Sequence, residues 1–159
     1  MYSFSLSTDK QLIRDTILLP NNIPFNFDDK YKDPFDYEPL IQDNIMNIRV
    51  DKGGEFMGFF FLIKRSYTLA EAHLAFTPKA FGEVAEMGKE CLKWIWHNTG
   101  LEHLICPVIE TNHLALKCVK AIGLKPYCRQ ENKWLKDGIW YHYIWLKIEK
   151  DHNIIEEEV

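Results

Sequence analysis

The chain has 159 residues, 47% hydrophobic and 14% aromatic, which is enough apolar material for the core of one domain and too much for a disordered chain. A formal net charge of −4 argues against general affinity for nucleic acids or anionic membranes, because both need a basic face. The longest apolar run, 57–63, is far shorter than the ~20 residues that span a bilayer, and the first residues lack the pattern of a secretory signal. We therefore expect a cytoplasmic protein that binds neither nucleic acid nor membrane.

The alternation of apolar and polar residues over 2–7 predicts a strand, and a helix follows it, capped within 7–9 and stopped by Pro20. The next segment, 20–39, is rich in Pro, Asn and Asp and predicts a long loop. Its aromatic residues either close the core or form part of a binding wall. They are Phe25, Phe27, Tyr31, Phe35 and Tyr37.

The remainder of the chain alternates between the two periodicities. Strands are predicted at 44–51, 55–64, 69–76, 103–109, 127–134 and 139–148. Glycine-containing turns at 52–54 and 136–138 predict two hairpins. Helices are predicted after Thr77-Pro78 and from Thr111 or Asn112 to Gly123. We expect one α/β domain over 1–150 and a charged tail at 151–159.

The four cysteines are widely spaced, with no CxxC pair and no nearby HxxxH segment. This spacing argues against a disulfide framework and against a zinc site. We expect reduced thiols, several of them buried, and no metal centre. The cysteines are Cys91, Cys106, Cys118 and Cys128.

The segment TNHLALKCVKAIGLKP opens a helix with Asn112, has the small Ala115 three residues later, and ends the helix with Gly123 followed by Leu124. With the order of elements, it resembles the GCN5-related N-acetyltransferase superfamily over most of the chain. The resemblance implies a mixed, mostly antiparallel sheet of six to seven strands flanked by helices. It also implies that acetyl-CoA is the co-substrate.

A second segment, TPKAFGEVAEMG, is similar to the pyrophosphate-binding loop of this family. Lys79, Gly82 and Val84 stand at the matched positions, and Ala85 follows in the first helical turn. A helix N-terminus presents unpaired N–H groups and a positive dipole end to an anion. The branched Val84 departs from the family pattern, and the carboxylates of Glu83 and Glu86 in the first helical turns repel phosphate, so the resemblance implies a weakened phosphate site.

By the same resemblance, the strand before this loop contacts the pantetheine arm through the backbone of Leu74, Ala75 and Phe76. Glu71 and His73 share one face of that strand and are candidate catalytic bases, because an amine must lose a proton before it attacks a thioester. The alternative is that both residues only form the polar outer face of a strand.

The resemblance places Asn112 beside the end of this strand, where it would contact the cofactor or an ordered water. The family often has a tyrosine as general acid in the second helix, and Val119 stands at that position here. Tyr127, Tyr141 and Tyr143 are possible replacements.

Two functions remain open. The first is an acetyl-CoA-dependent N-acetyltransferase acting on a primary amine, either of a small molecule or of a protein. The second is a non-catalytic protein of the same fold that acts in phage head assembly or inside the virion. Either protein could form a homo-oligomer.

Overall fold

A computed structural model of the chain describes residues 1–31 and 33–151. The strands in this part of the chain are β1 (Tyr2–Leu6), β2 (Ile45–Lys52), β3 (Glu55–Lys64), β4 (Leu69–Phe76), β5 (His103–Ile109), β6 (Lys125–Lys136) and β7 (Ile139–Glu149). The helices are α1 (Lys10–Ile17), α2 (Ile23–Asn26), α3 (Val84–Asn98) and α4 (His113–Ile122). Short 3-10 turns lie at Pro34–Asp36 and Pro78–Ala80.

The strands form one seven-stranded sheet in the order β1-β2-β3-β4-β5-β7-β6. All neighbours pair antiparallel except β4 and β5, which are parallel. The predicted mixed, mostly antiparallel sheet flanked by helices is therefore confirmed. The single domain over 1–150 stays a prediction, and the predicted tail lies outside the described residues except for Asp151.

The core has layers on both faces of the sheet. On one face, α3 packs on β2, β3, β4 and β5, and α4 packs on β5 and β7. On the other face, α1 packs on β3 and β4. Strand β3 is apolar on both sides, so Phe60 and Leu62 face α3 while Phe59 faces α1. Full burial of a side chain such as Phe59 contributes about 1.5–3 kcal/mol.

Local capping explains where the helices begin and end. The Asp9 carboxylate accepts a hydrogen bond from the Leu12 N–H at 3.0 Å, and the Asn112 side chain accepts one from the Ala115 N–H at 3.1 Å. Helix α4 ends at Gly123, whose φ of +119° lies in the region that favours glycine. The sequence leaves open which of residues 7–9 caps α1 and whether Thr111 or Asn112 caps α4. The capping residues are Asp9 and Asn112.

The aromatic residues of the segment 20–39 do not all close the core, and a role in a binding wall stays a prediction. Phe27 is buried in the α1 layer and Tyr37 packs against that layer, so these two aromatics close the core. Phe25 is exposed and lines a surface cavity. The Asn21 and Asn22 side-chain amides both donate to the Phe76 carbonyl, which ties the start of the segment to the end of β4.

Candidate active site

Strands β4 and β5 separate after a very short ladder. Their paired positions are Leu69 with His103, Ala70 with Leu104, and Glu71 with Ile105. Beyond these, β4 continues to Phe76 and β5 to Ile109, and the structure places no further β4–β5 pairs in the ladder. A gap therefore opens in the middle of the sheet.

The backbone of β4 along this gap has a definite polarity. The Thr77 N–H donates to the Met57 carbonyl at 2.9 Å, so the alternation of an antiparallel ladder turns the peptide groups of Ala75 toward β3 as well. The peptide groups of Leu74 then point toward the gap. The Phe76 carbonyl also faces away from β3, and it accepts from Asn21 at 2.9 Å and Asn22 at 3.1 Å.

A narrow apolar cavity of about 40 Å³ lies below the gap, between the sheet, α3 and α4. Gly88 of α3 allows the two helices to approach closely, since a Cβ atom there would lie 2.3 Å from Cδ1 of Ile122. The only sequence signal for this contact is a glycine inside a helix, where it costs about 1 kcal/mol relative to alanine. The lining of this narrow cavity includes Ala72, Leu74, Cys91, Cys106, Val119 and Leu124.

The predicted phosphate loop lies at the N-terminus of α3. Gly82 has a φ of +89° just before the helix begins at Val84. The N–H groups of Val84 and Ala85 belong to the first turn and have no partner within the helix. Lys79 is exposed and forms an ion pair with Glu55 at the start of β3. Part of its charge is therefore already neutralised.

The Glu83 carboxylate, whose repulsion of phosphate the sequence predicts, is also neutralised in place. Lys52 Nζ lies 2.6 Å from Glu83 Oε2, and the Tyr2 hydroxyl donates to the same oxygen at 2.7 Å. The Lys52 contact, followed by the Tyr2 contact, lowers the pKa of Glu83. Burial and the Glu83 charge raise the pKa of Tyr2 to about 12. The net negative charge beside the loop is thus smaller than the sequence indicates.

Glu71 and His73 form a hydrogen-bonded pair at the mouth of the gap. His73 Nε2 lies 2.7 Å from Glu71 Oε1, while Arg65 Nε donates to Glu71 Oε2 at 3.0 Å. The bond to His73 and then the contacts with Arg65 outweigh burial and lower the pKa of Glu71 to about 2. Such a carboxylate stays ionised and is a weak base. The imidazole of His73 is partly exposed, and its Nδ1 lies on the ring side away from this bond.

The remaining site candidates are Asn112 and the tyrosines. The Asn112 carboxamide oxygen is engaged in capping α4. Burial, then Asp28 and Glu71, raise the pKa of Tyr143. Tyr127 is exposed, and burial followed by Cys128 and Glu71 raises its pKa. The negative charge of Glu71 contributes to both shifts.

A second cavity of about 210 Å³ lies at the carboxyl end of β5. Ile109 lines it, and because the neighbouring Val108 packs below α4, alternation directs Ile109 to the other face of the sheet. Glu71 and His73 point to that face too, since Ala72 packs on the α3 side. The lining comprises Pro24, Phe25, Ile109, Thr111, Trp134, Lys136, Asp137 and Tyr141.

The described residues also bear on metals, thiols and membranes. No group of three His, Cys, Asp or Glu side chains within 1–31 and 33–151 could hold a metal ion. The four cysteines are free, and burial raises the pKa of Cys91 and brings that of Cys106 to about 12. Within the same ranges, every helix is too short or too polar to cross a bilayer.

Comparison with solved structures identifies acetyltransferases. Spermidine N-acetyltransferase from Vibrio cholerae in complex with CoA and spermine aligns with a TM-score of 0.76 at 14% identity, over 93% of this chain and 95% of that chain. A dodecameric structure of spermidine N-acetyltransferase from the same organism, in an intermediate state, aligns with a TM-score of 0.75 at 13% identity, over 99% of this chain and 98% of that chain.

A third structure, the Campylobacter jejuni N-acetyltransferase PseH in complex with acetyl coenzyme A, aligns with a TM-score of 0.57 at 16% identity, over 69% of this chain and 71% of that chain. No family model and no curated protein matches the sequence. The structural likeness shows that the chain has the fold of the N-acetyltransferases, as the sequence resemblance implies.

Proposed function

We propose that this chain, which has the N-acetyltransferase fold, transfers the acetyl group of acetyl-CoA to a primary amine. The observation that carries the proposal is the gap between β4 and β5 with the Glu71–His73 pair at its mouth. A thioester held in this gap is accessible from the face of the sheet that carries the second cavity. An amine can therefore approach the thioester carbonyl from the side opposite α3 and α4.

The residues along the gap suit the parts of acetyl-CoA. The free peptide groups of Leu74 are suited to hydrogen-bond the amides of a pantetheine arm, as an added strand would. The unpaired N–H groups of Val84 and Ala85 are suited to the pyrophosphate, and Gly82 leaves room for it. Acetyl-CoA, when bound, supplies a thioester carbonyl that an uncharged amine can attack. The pairing of Lys79 with Glu55 predicts weak attraction for the phosphates.

Within this site, we assign proton abstraction to His73 and a positioning role to Glu71. Glu71, with its pKa near 2, is a poor base but fixes the imidazole through Nε2. His73 Nδ1 then accepts the amine proton, directly or through a water, and imidazoles are suited to this task near neutral pH. A C–N bond forms, the C–S bond breaks, and the departing thiolate takes up a proton.

We assign the task of assisting the leaving sulfur to Tyr143. It lies on the same face as Glu71, between Trp134 and Trp145, whose ring centroids are each 6.3 Å away. Its raised pKa keeps the phenol protonated, so the hydroxyl can donate a hydrogen bond to developing negative charge. Asn112 is assigned to capping α4 and contributes to the site through the backbone that it holds.

The second cavity is the proposed acceptor site. Its volume of about 210 Å³ suits a small amine or the end of an amine-bearing side chain. Trp134 and Tyr141 offer aromatic faces that stabilise a cation, while the negative charge of Asp137 is offset by the positive charge of Lys136, whose Nζ donates to the Phe27 carbonyl. The Vibrio cholerae neighbour was solved with spermine, which is an amine of this kind. A homo-oligomer and a cytoplasmic location stay predictions.

The alternative of a virion or head-assembly protein has no support in the fold neighbours, which are enzymes. A hydrogen-bonded carboxylate–imidazole pair beside an open strand edge also favours the enzyme. We therefore retain one function.

The test combines binding and turnover. Acetyl-CoA should raise the melting temperature of the protein by mass action, and thiol release should be seen with at least one of spermidine, tyramine and Nα-acetyl-lysine. His73→Ala should lower kcat by about 10²–10⁴-fold, whereas His97→Ala, an exposed histidine in α3, should not. No stabilisation by excess acetyl-CoA and no thiol release with any amine would overturn the proposal. Full activity of His73→Ala would overturn the assignment of the base.

A further inference from the structure

Residues 27–30, here called the strap, are tied to the turn between β6 and β7. Asp29 Oδ1 accepts a hydrogen bond from the Asp137 N–H at 3.1 Å, and Asp29 Oδ2 accepts one from the Gly138 N–H at 2.9 Å. The Asp29 N–H donates to the Leu135 carbonyl at 2.8 Å. One residue therefore makes three hydrogen bonds to a hairpin more than a hundred positions away in sequence.

The geometry of the turn favours this contact. Asp137 and Gly138 both have positive φ, +51° and +74°, as in a two-residue hairpin turn. In this conformation two successive N–H groups point out of the turn and can share one anion. Each oxygen of the Asp29 carboxylate takes one of them, and hydrogen bonds to a charged acceptor are stronger than neutral ones.

Two further contacts hold the strap. Lys136 Nζ donates to the Phe27 carbonyl at 3.3 Å, and Lys30 Nζ lies 5.5 Å from the centroid of the Trp140 ring. Phe27 itself is only 4% exposed and anchors one end of the strap in the core. Asp29, in contrast, lies on the surface. The buried end supports the fold, while the exposed carboxylate holds the strap to the hairpin.

The strap joins the two walls of the second cavity. Pro24 and Phe25 of α2, immediately before the strap, form one wall, and Lys136 and Asp137 of the turn contribute to the other. Contacts between Asp29 and the turn therefore fix the distance between these walls. A looser strap would widen the cavity without moving Glu71 or His73, which lie on β4.

We propose that Asp29 is a positioning residue that sets the width of the acceptor cavity, and thereby the affinity for the amine, by holding the strap on the β6–β7 turn. This inference rests on the proposed function, because it takes the cavity as the acceptor site. Asp29 acts through Asp137 and Gly138 and contacts neither reactant. Its loss should therefore change KM for the amine and leave the chemical step unchanged.

The test compares Asp29→Ala and Asp29→Asn with Asp33→Ala. Asp33 lies in the same segment but accepts from the Phe35 N–H, at 2.9 Å, and makes no contact with the hairpin among the described residues. Asp29→Ala should raise KM for the best amine of the panel about five- to tenfold, with kcat and KM for acetyl-CoA within about twofold. Asp29→Asn keeps one accepting oxygen and should lie between Asp29→Ala and wild type.

Hydrogen exchange provides a readout that does not depend on turnover. The amides of Asp137 and Gly138 should exchange faster in Asp29→Ala than in wild type or Asp33→Ala. Unchanged exchange would show that Asp29 does not hold the strap on the β6–β7 turn. Faster exchange with an unchanged KM for the amine would show that this contact does not affect acceptor binding. Absence of turnover in wild type overturns the proposed function, and calorimetry with spermidine on the same variants then decides whether Asp29 controls amine binding.

Discussion

Replacing Glu71 by glutamine tests the electrostatics of the site directly. The carboxylate is nearly buried and contacts Arg65 on one oxygen and His73 on the other. These contacts lower its pKa from the ordinary 4.5 to about 2. A group whose pKa is depressed by folding stabilises the native state at pH values above its unfolded pKa, and loses this contribution as the pH falls through its folded pKa.

The size of the effect follows from the shift. A fall in pKa from 4.5 to about 2 corresponds to about 3 kcal/mol in the free energy of unfolding at neutral pH. The side chains of Arg65 and His73 are 51% and 42% exposed, so solvent screens both contacts and the measurable part is smaller. We expect Glu71→Gln to lower the free energy of unfolding by about 1–2 kcal/mol at neutral pH.

Urea denaturation followed by tryptophan fluorescence, repeated from neutral pH down to about pH 3, measures this difference. The difference in the free energy of unfolding between wild type and Glu71→Gln should be constant above about pH 4.5 and should decrease as the pH falls toward 2. Glu131→Gln, which removes an exposed ion pair with Arg129, should change stability by less than about 0.5 kcal/mol. A difference for Glu71→Gln that does not depend on pH would refute the electrostatic reasoning and indicate a packing effect.

Two further predictions concern the cofactor loop and the helix cap. Glu55→Gln should free Lys79 and tighten acetyl-CoA binding about two- to fivefold, as measured by calorimetry. The effect should be this small because both side chains are more than half exposed and the ion pair is weak. Weaker binding would contradict the assigned role of Lys79. Asn112→Ala should cost about 1 kcal/mol of stability, and Asn112→Asp should restore it because aspartate caps equally well. A low kcat in a stable Asn112→Asp variant would instead indicate direct contact with the reactants.

The sequence predicts most of the fold because its strands and helices have clear periodicities. The alternation over 69–76 correctly places Glu71 and His73 on one face, and the glycine turns correctly place both hairpins. Strand β6 extends beyond the predicted 127–134 to Lys125–Lys136, because pairing with β7 continues up to the turn. Pairing of this kind depends on a partner strand and leaves little local signal.

The sequence does not predict how charges pair across the fold. From the sequence, Glu83 is expected to repel phosphate, whereas Lys52, the last residue of β2, lies against it. From the sequence, Lys79 is expected to attract phosphate, although Glu55 pairs with it. Asp29 has no pattern that points to the hairpin it holds. These contacts join residues far apart in sequence, so spacing and periodicity carry no information about them.

The three-position ladder between β4 and β5 also has a mechanical consequence. It is a seam between two blocks of the sheet, β1 to β4 and β5 to β7, each held together by longer antiparallel ladders. A ligand that is hydrogen-bonded to the free edge of β4 and packed against β5 would connect the two blocks across this seam. Occupation of the site would then stiffen the molecule as a whole, well beyond the atoms in contact with the ligand.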